Sequence, residues 1–293
     1  MNVNGVRNRN MHGNVRRSLA MVRKGLLSLK TVDFCNADLA KPSMHLLDGS
    51  GKLLRPALVL ESAAALGKKP EDFVDLAVAI ELLHTSSLLH DDIIDRDIVR
   101  RGIESVHVKY GKEAAILSGD ALIAKAVQKS CRYGTEIVHL ISQAALRMCA
   151  GEMLDYRYQK TRKVPSIDSY VEIASLKSGA LISISASAAA KYSKDKLYKS
   201  LSIFGTNVGI GFQIRDDVID ALGADLKNGT ADSRKFRPNI VNTLIKHSNL
   251  RKNDAISEAI ELNNKYIDMA NSEIFGKAGF EDLIKHAEKM KLK

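Results

Sequence analysis

A chain of 293 residues, 45% hydrophobic and 27% charged, has enough apolar material to bury a large core, which excludes a disordered tail protein. It contains no uninterrupted apolar run of about eighteen residues, so no transmembrane segment is expected. The net charge of +10 is unevenly placed: residues 1–32 hold seven of the 44 Lys and Arg residues and no acid, and the remaining 37 face 34 acids. A near-neutral body with a basic arm argues against a nucleic-acid partner, which requires a basic face across the folded domain.

In the arm, Val15, Leu19, Val22, Leu26 and Leu29 recur at helical spacing and predict a first helix. The acid-free, Arg-rich composition is also that of an organellar transit peptide, the alternative to the expected cytoplasmic location. Cys35, Cys131 and Cys149 are too few and too scattered for a disulfide framework or zinc site, and are expected as small buried hydrophobes. Only Pro42, Pro56, Pro70, Pro165 and Pro238 interrupt the chain, and proline inside a helix costs about 3 kcal/mol, so the long gaps between them permit long helices. One is predicted to open after Pro70, with Glu71 and Asp72 favourable in its first turn. A second runs from Glu113 to Arg132 and stops near Gly134, and a third runs from Thr135 past Glu152. A fourth, capped by Asp168 or Ser169, reaches Lys191, and a fifth runs from Asp195 to near Gly223. The expected class is all-α, one domain over 1–293 forming a single bundle of about ten helices.

Two aspartate-rich clusters stand out. His90-Asp91-Asp92-Ile93-Ile94-Asp95 closes the helix that starts after Pro70, with Glu81 and His84 extending the same polar stripe backwards. Gln213-Ile214-Arg215-Asp216-Asp217-Val218-Ile219-Asp220 repeats the pattern, with Gln213, Asp216, Asp217 and Asp220 predicted to share a face. Carboxylates three and four residues apart repel one another, and near a helix C-terminus they oppose the macrodipole, so stability alone explains neither cluster. A divalent cation resolves both objections, because carboxylate oxygens are hard ligands suited to Mg²⁺, which keeps waters and bridges to phosphates. Cations suited to phosphate lie nearby in sequence: Lys52 and Arg55 in GKLLRP, Arg100 and Arg101 before Gly102, Lys177 beside Ser178, and Lys227.

These residues resemble the trans-isoprenyl diphosphate synthase (polyprenyl synthetase) family. Residues 81–120 resemble its first aspartate-rich region through the RRG and GD elements, GKLLRP its GKxxRP element, and GFQIRDDVID its second aspartate-rich motif. The resemblance implies an all-α fold around a central cavity and head-to-tail elongation of an allylic diphosphate with isopentenyl diphosphate by a homodimer. It implies Mg²⁺ held by Asp91, Asp95 and Asp216, with Asp92, Asp217 and Asp220 in supporting contacts. Arg100, Lys177 and Lys227 are then expected to hold the allylic diphosphate, and Lys52, Arg55, His84 and Arg101 the isopentenyl diphosphate. Gln213 and Ser178 would orient near the developing cation.

Ser86 and Ser87, one turn before Asp91, replace the aromatic floor of short-chain members, with Leu83 a further turn away. A product of geranylgeranyl length or longer is expected, and Ser86→Phe should shorten it. The segment after the second motif departs from the family's GKPxGxDxxxGKxTLP. Phe236 replaces a glycine, Asn239-Ile240-Val241 replace TLP, and Lys227, Asp232 and Arg237 keep their character. A catalytically silent subunit of a heteromeric prenyl synthase would typically lack intact aspartate motifs. A terpene cyclase or squalene-type synthase would not normally combine RRG with GKxxRP. A basic helical nucleic-acid-binding protein would leave both carboxylate clusters unexplained.

Overall fold

Helices make up most of the computed structural model, which describes the backbone over residues 3–47, 51–226 and 236–292 and the side chains from residue 13 onward, except 224–226. The chain divides into two compact units, Met1–Gln143 with Ala188–Lys196 and Ala144–Ser187 with Leu197–Lys293. The fold class is all-α, as expected; the described strands are the short pair Val99–Arg100 (β1) and Ile103–Glu104 (β2).

In the first unit, α1 (Val3–Leu27) covers most of the basic arm and packs on α3 (Leu54–Ala65) and α4 (Val74–Asp95). Its buried side chains Val15, Ser18, Val22 and Leu26 follow the helical period, while Leu19 is partly exposed. Between α1 and α3 lies α2 (Ala37–Met44), capped by Asn36, whose Oδ1 accepts from the Leu39 N–H at 2.8 Å. Pro56 sits in the first turn of α3, where no intrahelical N–H is lost. A short 3₁₀ turn, Pro70–Phe73, leads into α4, which buries Leu76, Val78, Ile80, Leu82 and Leu83. α5 (Val106–Lys109) and α6 (Lys112–Ser130) follow, and α6 packs along α4. Beyond Gly134 begins α7 (Thr135–Thr161).

The second unit holds most of α7, then α8 (Ile167–Ala174), the first part of α9 (Ala180–Tyr192) and α10 (Tyr198–Leu226). Between α8 and α9 the chain makes a single π-helical turn, Ser175–Gly179. α11 (Ile240–Ser248), α12 (Lys252–Ile274) and α13 (Glu281–Glu288) complete it. Ile210, Ile214 and Val218 of α10 pack with Ile240 and Leu244 of α11 and with Ala255 and Ala259 of α12.

Several expectations are corrected. Ser166, not Asp168 or Ser169, caps α8: its Oγ accepts from the Ser169 N–H at 3.2 Å. All three cysteines are exposed and free, since each lies on the outer side of its helix or turn. Pro70–Asp95 and Ile167–Tyr192 are each long and apolar enough to cross a membrane by mean hydropathy, although polar residues interrupt their apolar runs. Most of both segments is buried within the protein, as core helices are. α10 reaches Leu226 rather than Gly223, so the second aspartate cluster lies well before its C-terminus, and the macrodipole objection applies to the first cluster alone.

Candidate active site

The first aspartate cluster is divided by the helix it sits on. Asp91 and Asp95 are partly buried, one turn apart, on the face of α4 that also carries His84, Ser87 and Leu88. Asp92 points elsewhere and is fully buried. Its Oδ1 accepts from Arg100 Nε at 2.7 Å and pairs with Arg100 Nη2 at 2.5 Å, while that Nη2 also donates to Asp97 at 3.1 Å. Burial raises the Asp92 carboxyl above its ordinary range against the pull of Arg100.

The RRG element makes this pairing possible. α4 ends with Arg96 in the left-handed region and the Asp97 N–H bonded back to the Asp92 carbonyl at 2.9 Å. Arg101 and Gly102 then both take positive φ, 54° and 81°, the backbone demanded by a two-residue type I′ hairpin. The turn brings Arg100 back to Asp92 and sends Arg101 to the Leu46 carbonyl (3.0 Å) and Glu81 (3.4 Å). The following GD element has its own packing role: a Cβ at Gly119 would collide with the His90 ring, whose Nε2 donates to the Ile116 carbonyl at 3.2 Å.

Arg55 and Arg101 both act on buried Glu81, and Arg55 Nη1 donates to His84 Nε2 at 3.1 Å. A guanidinium only donates, so Nε2 is the acceptor and the ring proton resides on Nδ1. Two guanidiniums thus converge on one buried carboxylate, and guanidinium donors of this kind also suit an anion. Burial lifts the Glu81 carboxyl, and burial, with Arg55 and Arg101 adding to it, holds His84 well below the usual histidine range. Lys52, at the mouth of α3, is exposed.

A histidine depressed in the folded state is protonated more readily once unfolded, so its stabilising contribution is present above about pH 6.5 and declines as pH falls below it. His84→Gln is therefore expected to flatten the acid limb of stability between about pH 7 and 5. Urea midpoints across that range check this, and an unchanged slope in the variant would count against a buried neutral His84.

The second cluster also separates. Gln213, Asp216, Asp217 and Asp220 lie along one face of α10, but Gln213 and Asp217 hydrogen-bond to each other at one edge of it while Asp216 is partly buried and Asp220 exposed. Asp217 accepts from the Tyr170 hydroxyl at 2.6 Å, the Ile240 N–H at 2.9 Å and Gln213 Nε2 at 3.2 Å. Burial pushes its carboxyl up to about 6 although all three hydrogen bonds pull it down. The Gln213 Oε1 accepts from Ser178 Oγ at 2.8 Å. Lys177 lies in the π turn and pairs with Glu152 at 2.7 Å and with Asp155. Burial lowers the Lys177 ammonium and the two carboxylates outweigh it, leaving it above its ordinary range. The atypical segment gains a physical account here: Asn239 caps α11 by accepting from the Asn242 N–H at 2.8 Å, and Ile240 and Val241 are buried. Lys227 and Asp232 lie outside the described residues.

Glu152, Asp155 and Tyr170 were not singled out from sequence. Glu152 and Asp155 repeat the three-residue carboxylate spacing on a long helix, the signal that could have found them. Among the described residues no group of three or more His, Cys, Asp or Glu forms a ready-made cage for a metal. Pairs of hard oxygen donors, Asp91 with Asp95 and Asp216 with Asp220, fit a cation such as Mg²⁺ that takes one or two carboxylates and completes its shell with water and phosphate.

This all-α chain, with paired aspartates on two long helices, superposes on solved structures of the isoprenoid synthase fold. The profile of the family described as polyprenyl synthetase matches residues 36–274, and the chain belongs to that family. Members of the family use divalent metal to bind diphosphate. A geranylgeranyl diphosphate synthase of Methanosarcina mazei is 38% identical over 191 residues, 62% of this chain and 59% of that protein. A geranylfarnesyl diphosphate synthase of Aeropyrum pernix is 38% identical over 63% of this chain and 62% of its own length. The chain thus matches about three fifths of the length of these curated relatives. Among solved structures, a geranylgeranyl pyrophosphate synthetase of Geoglobus acetivorans superposes with a TM-score of 0.83 at 27% identity, covering 97% of this chain and 99% of that one.

Proposed function

We propose that this chain is a prenyltransferase that condenses isopentenyl diphosphate head-to-tail with an allylic diphosphate to give a trans-polyprenyl diphosphate of about geranylgeranyl length or longer. The observation that carries this reading is that, in a member of this family, both aspartate clusters keep a carboxylate pair one turn apart while their middle aspartates are committed to Arg100 and to Tyr170. A silent subunit has no need to hold such pairs against their mutual repulsion.

Mg²⁺, when bound at Asp91 and Asp95 and at Asp216, would supply Lewis-acid polarisation of the departing diphosphate. Arg55, Arg101, neutral His84 and Lys52 bind isopentenyl diphosphate, the arginines through bidentate contacts. Lys177, with Arg100 and Lys227, binds the allylic diphosphate. Ser178 and Gln213, fixed by their mutual hydrogen bond, orient the substrate near the developing cation. The released diphosphate takes the final proton, so no protein base is assigned. The active species is a homodimer. Incubation with Mg²⁺, isopentenyl diphosphate and five-, ten- and fifteen-carbon allylic diphosphates tests the assignment, and absence of any longer product would refute it.

Product length is expected to respond to Ser87 more than to Ser86. Ser87 is partly exposed, one turn before Asp91 on the same face, with its Oγ donating to the His84 carbonyl at 2.9 Å. Ser86 and Leu83 are 1% and 2% exposed, within the packed side of α4. Ser87→Phe is expected to shorten the product, while Ser86→Phe overpacks the core at about 1–3 kcal/mol. Chromatography of dephosphorylated products checks this, and unchanged lengths with Ser87→Phe would exclude that face as the chain-length floor.

A further inference from the structure

The π turn Ser175–Gly179 presents both Lys177 and Ser178, and two neighbouring helices reach it only because each has a glycine at the contact. A Cβ on Gly209 of α10 would lie 2.7 Å from the Gly179 nitrogen and 2.9 Å from the Ser178 carbonyl carbon. A Cβ on Gly151 of α7 would lie 2.7 Å from the Lys177 nitrogen, 2.8 Å from Leu176 Cβ and 2.9 Å from Lys177 Cγ. Most of these neighbours are backbone atoms, which cannot swing aside as a side-chain tip can, so an added methyl must displace the turn itself.

Both helices also hold the side chains that the turn presents. One residue after Gly151, Glu152 pairs with the Lys177 ammonium, and Asp155, one turn after Gly151, does so too. One turn after Gly209, Gln213 accepts from Ser178 Oγ at 2.8 Å. Each helix therefore sets backbone position through a glycine and side-chain direction through a polar residue within the next turn. A single π turn inside a helix is a local distortion that neighbouring structure must support, and such turns frequently occur at functional sites.

We infer that Gly151 and Gly209 are positioning residues for the allylic diphosphate: by letting α7 and α10 close on the π turn, they fix where Lys177 and Ser178 are presented. The inference rests on the assignment of Lys177 to the allylic diphosphate made above. Displacements of about 1 Å can reduce a rate by about a hundredfold, so a shift of the turn is expected to be visible in affinity for one substrate only.

Gly209→Ala and Gly151→Ala test it against Gly205→Ala. A Cβ at Gly205 meets the Ile182 carbonyl oxygen and Ser183 Cα, both at 2.6 Å, and so strains α9 as severely without touching the turn. All three variants are expected to lower the melting temperature. Gly209→Ala and Gly151→Ala should raise the KM for the allylic diphosphate about tenfold or more and weaken equilibrium binding of its non-ionising thiolodiphosphate analogue to match. Their KM for isopentenyl diphosphate should stay within about twofold, and Gly205→Ala should leave both KM values near the parent. If Gly209→Ala does not fold, Gly151→Ala decides the matter alone.

Equal changes in both KM values, or an allylic KM moved as far by Gly205→Ala, would overturn the positioning role. Lys177→Ala separates the two layers of the argument. If it weakens analogue binding while neither glycine variant does, the positioning role falls and the Lys177 assignment stands; if it has no effect, both fall.

Discussion

Asp91→Ala and Asp216→Ala are each expected to reduce chain elongation on the order of 10³-fold while leaving the protein folded. Both side chains are partly buried on helix faces where a second carboxylate sits one turn away, so removing either relieves a like-charge repulsion. Thermal midpoints should fall less than in Asp92→Ala, because neither side chain is fully buried. Asp92→Ala should lose stability. Asp92 is fully buried and holds Arg100, so its loss leaves a guanidinium with only Asp97, at a cost of about 3 kcal/mol. Product assays and urea unfolding on the three variants therefore form one experiment. Activity lost without stability marks a metal-bearing carboxylate, and stability lost marks a structural one. Persistent elongation in Asp91→Ala would remove the metal role from the first cluster.

The helices were legible because their signals are local. Proline-free stretches, the period of Val15, Val22 and Leu26, and Gly134 as a terminator all act within a turn or two of themselves. The positions of the paired carboxylates were legible for the same reason, since residues three and four apart must neighbour one another on any helix. The division of labour within each cluster was not. Asp92 differs from Asp91 only because a type I′ turn at Arg101-Gly102 returns Arg100 to one and not the other. Asp217 differs from Asp216 because Tyr170, 47 residues earlier in the chain, donates to it. The exposed cysteines show the limit of composition, since thiols resemble buried side chains in type but not in placement. The π turn was also invisible, because the close approach of α7 and α10 to it at Gly151 and Gly209 is a tertiary feature, and those glycines read individually as helix-weakening residues.

Asp217→Ala is expected to destabilise the fold by about 3 kcal/mol or more, the second large effect. Asp217 serves as acceptor for three donors from three places: the Tyr170 hydroxyl on α8, the Ile240 N–H at the start of α11 and the Gln213 amide on its own helix. Removing it strands all three, and a buried donor without a partner costs about 1–3 kcal/mol. The Ile240 bond carries further weight, because it ties down the chain where it re-enters α11 after the atypical segment. Tyr170→Phe removes one donor and leaves the other two bonds in place, so a loss of about 1 kcal/mol is expected. Urea unfolding of both variants measures these values. Asp217→Asn should recover part of the loss, since its carbonyl oxygen can accept from the Ile240 N–H or the Tyr170 hydroxyl although its charge is gone. If Asp217→Ala instead keeps the parental midpoint and loses only activity, Asp217 belongs with Asp216 among the metal-bearing residues, and the hydrogen bonds to Tyr170 and Ile240 do not hold α8 and α11 to α10.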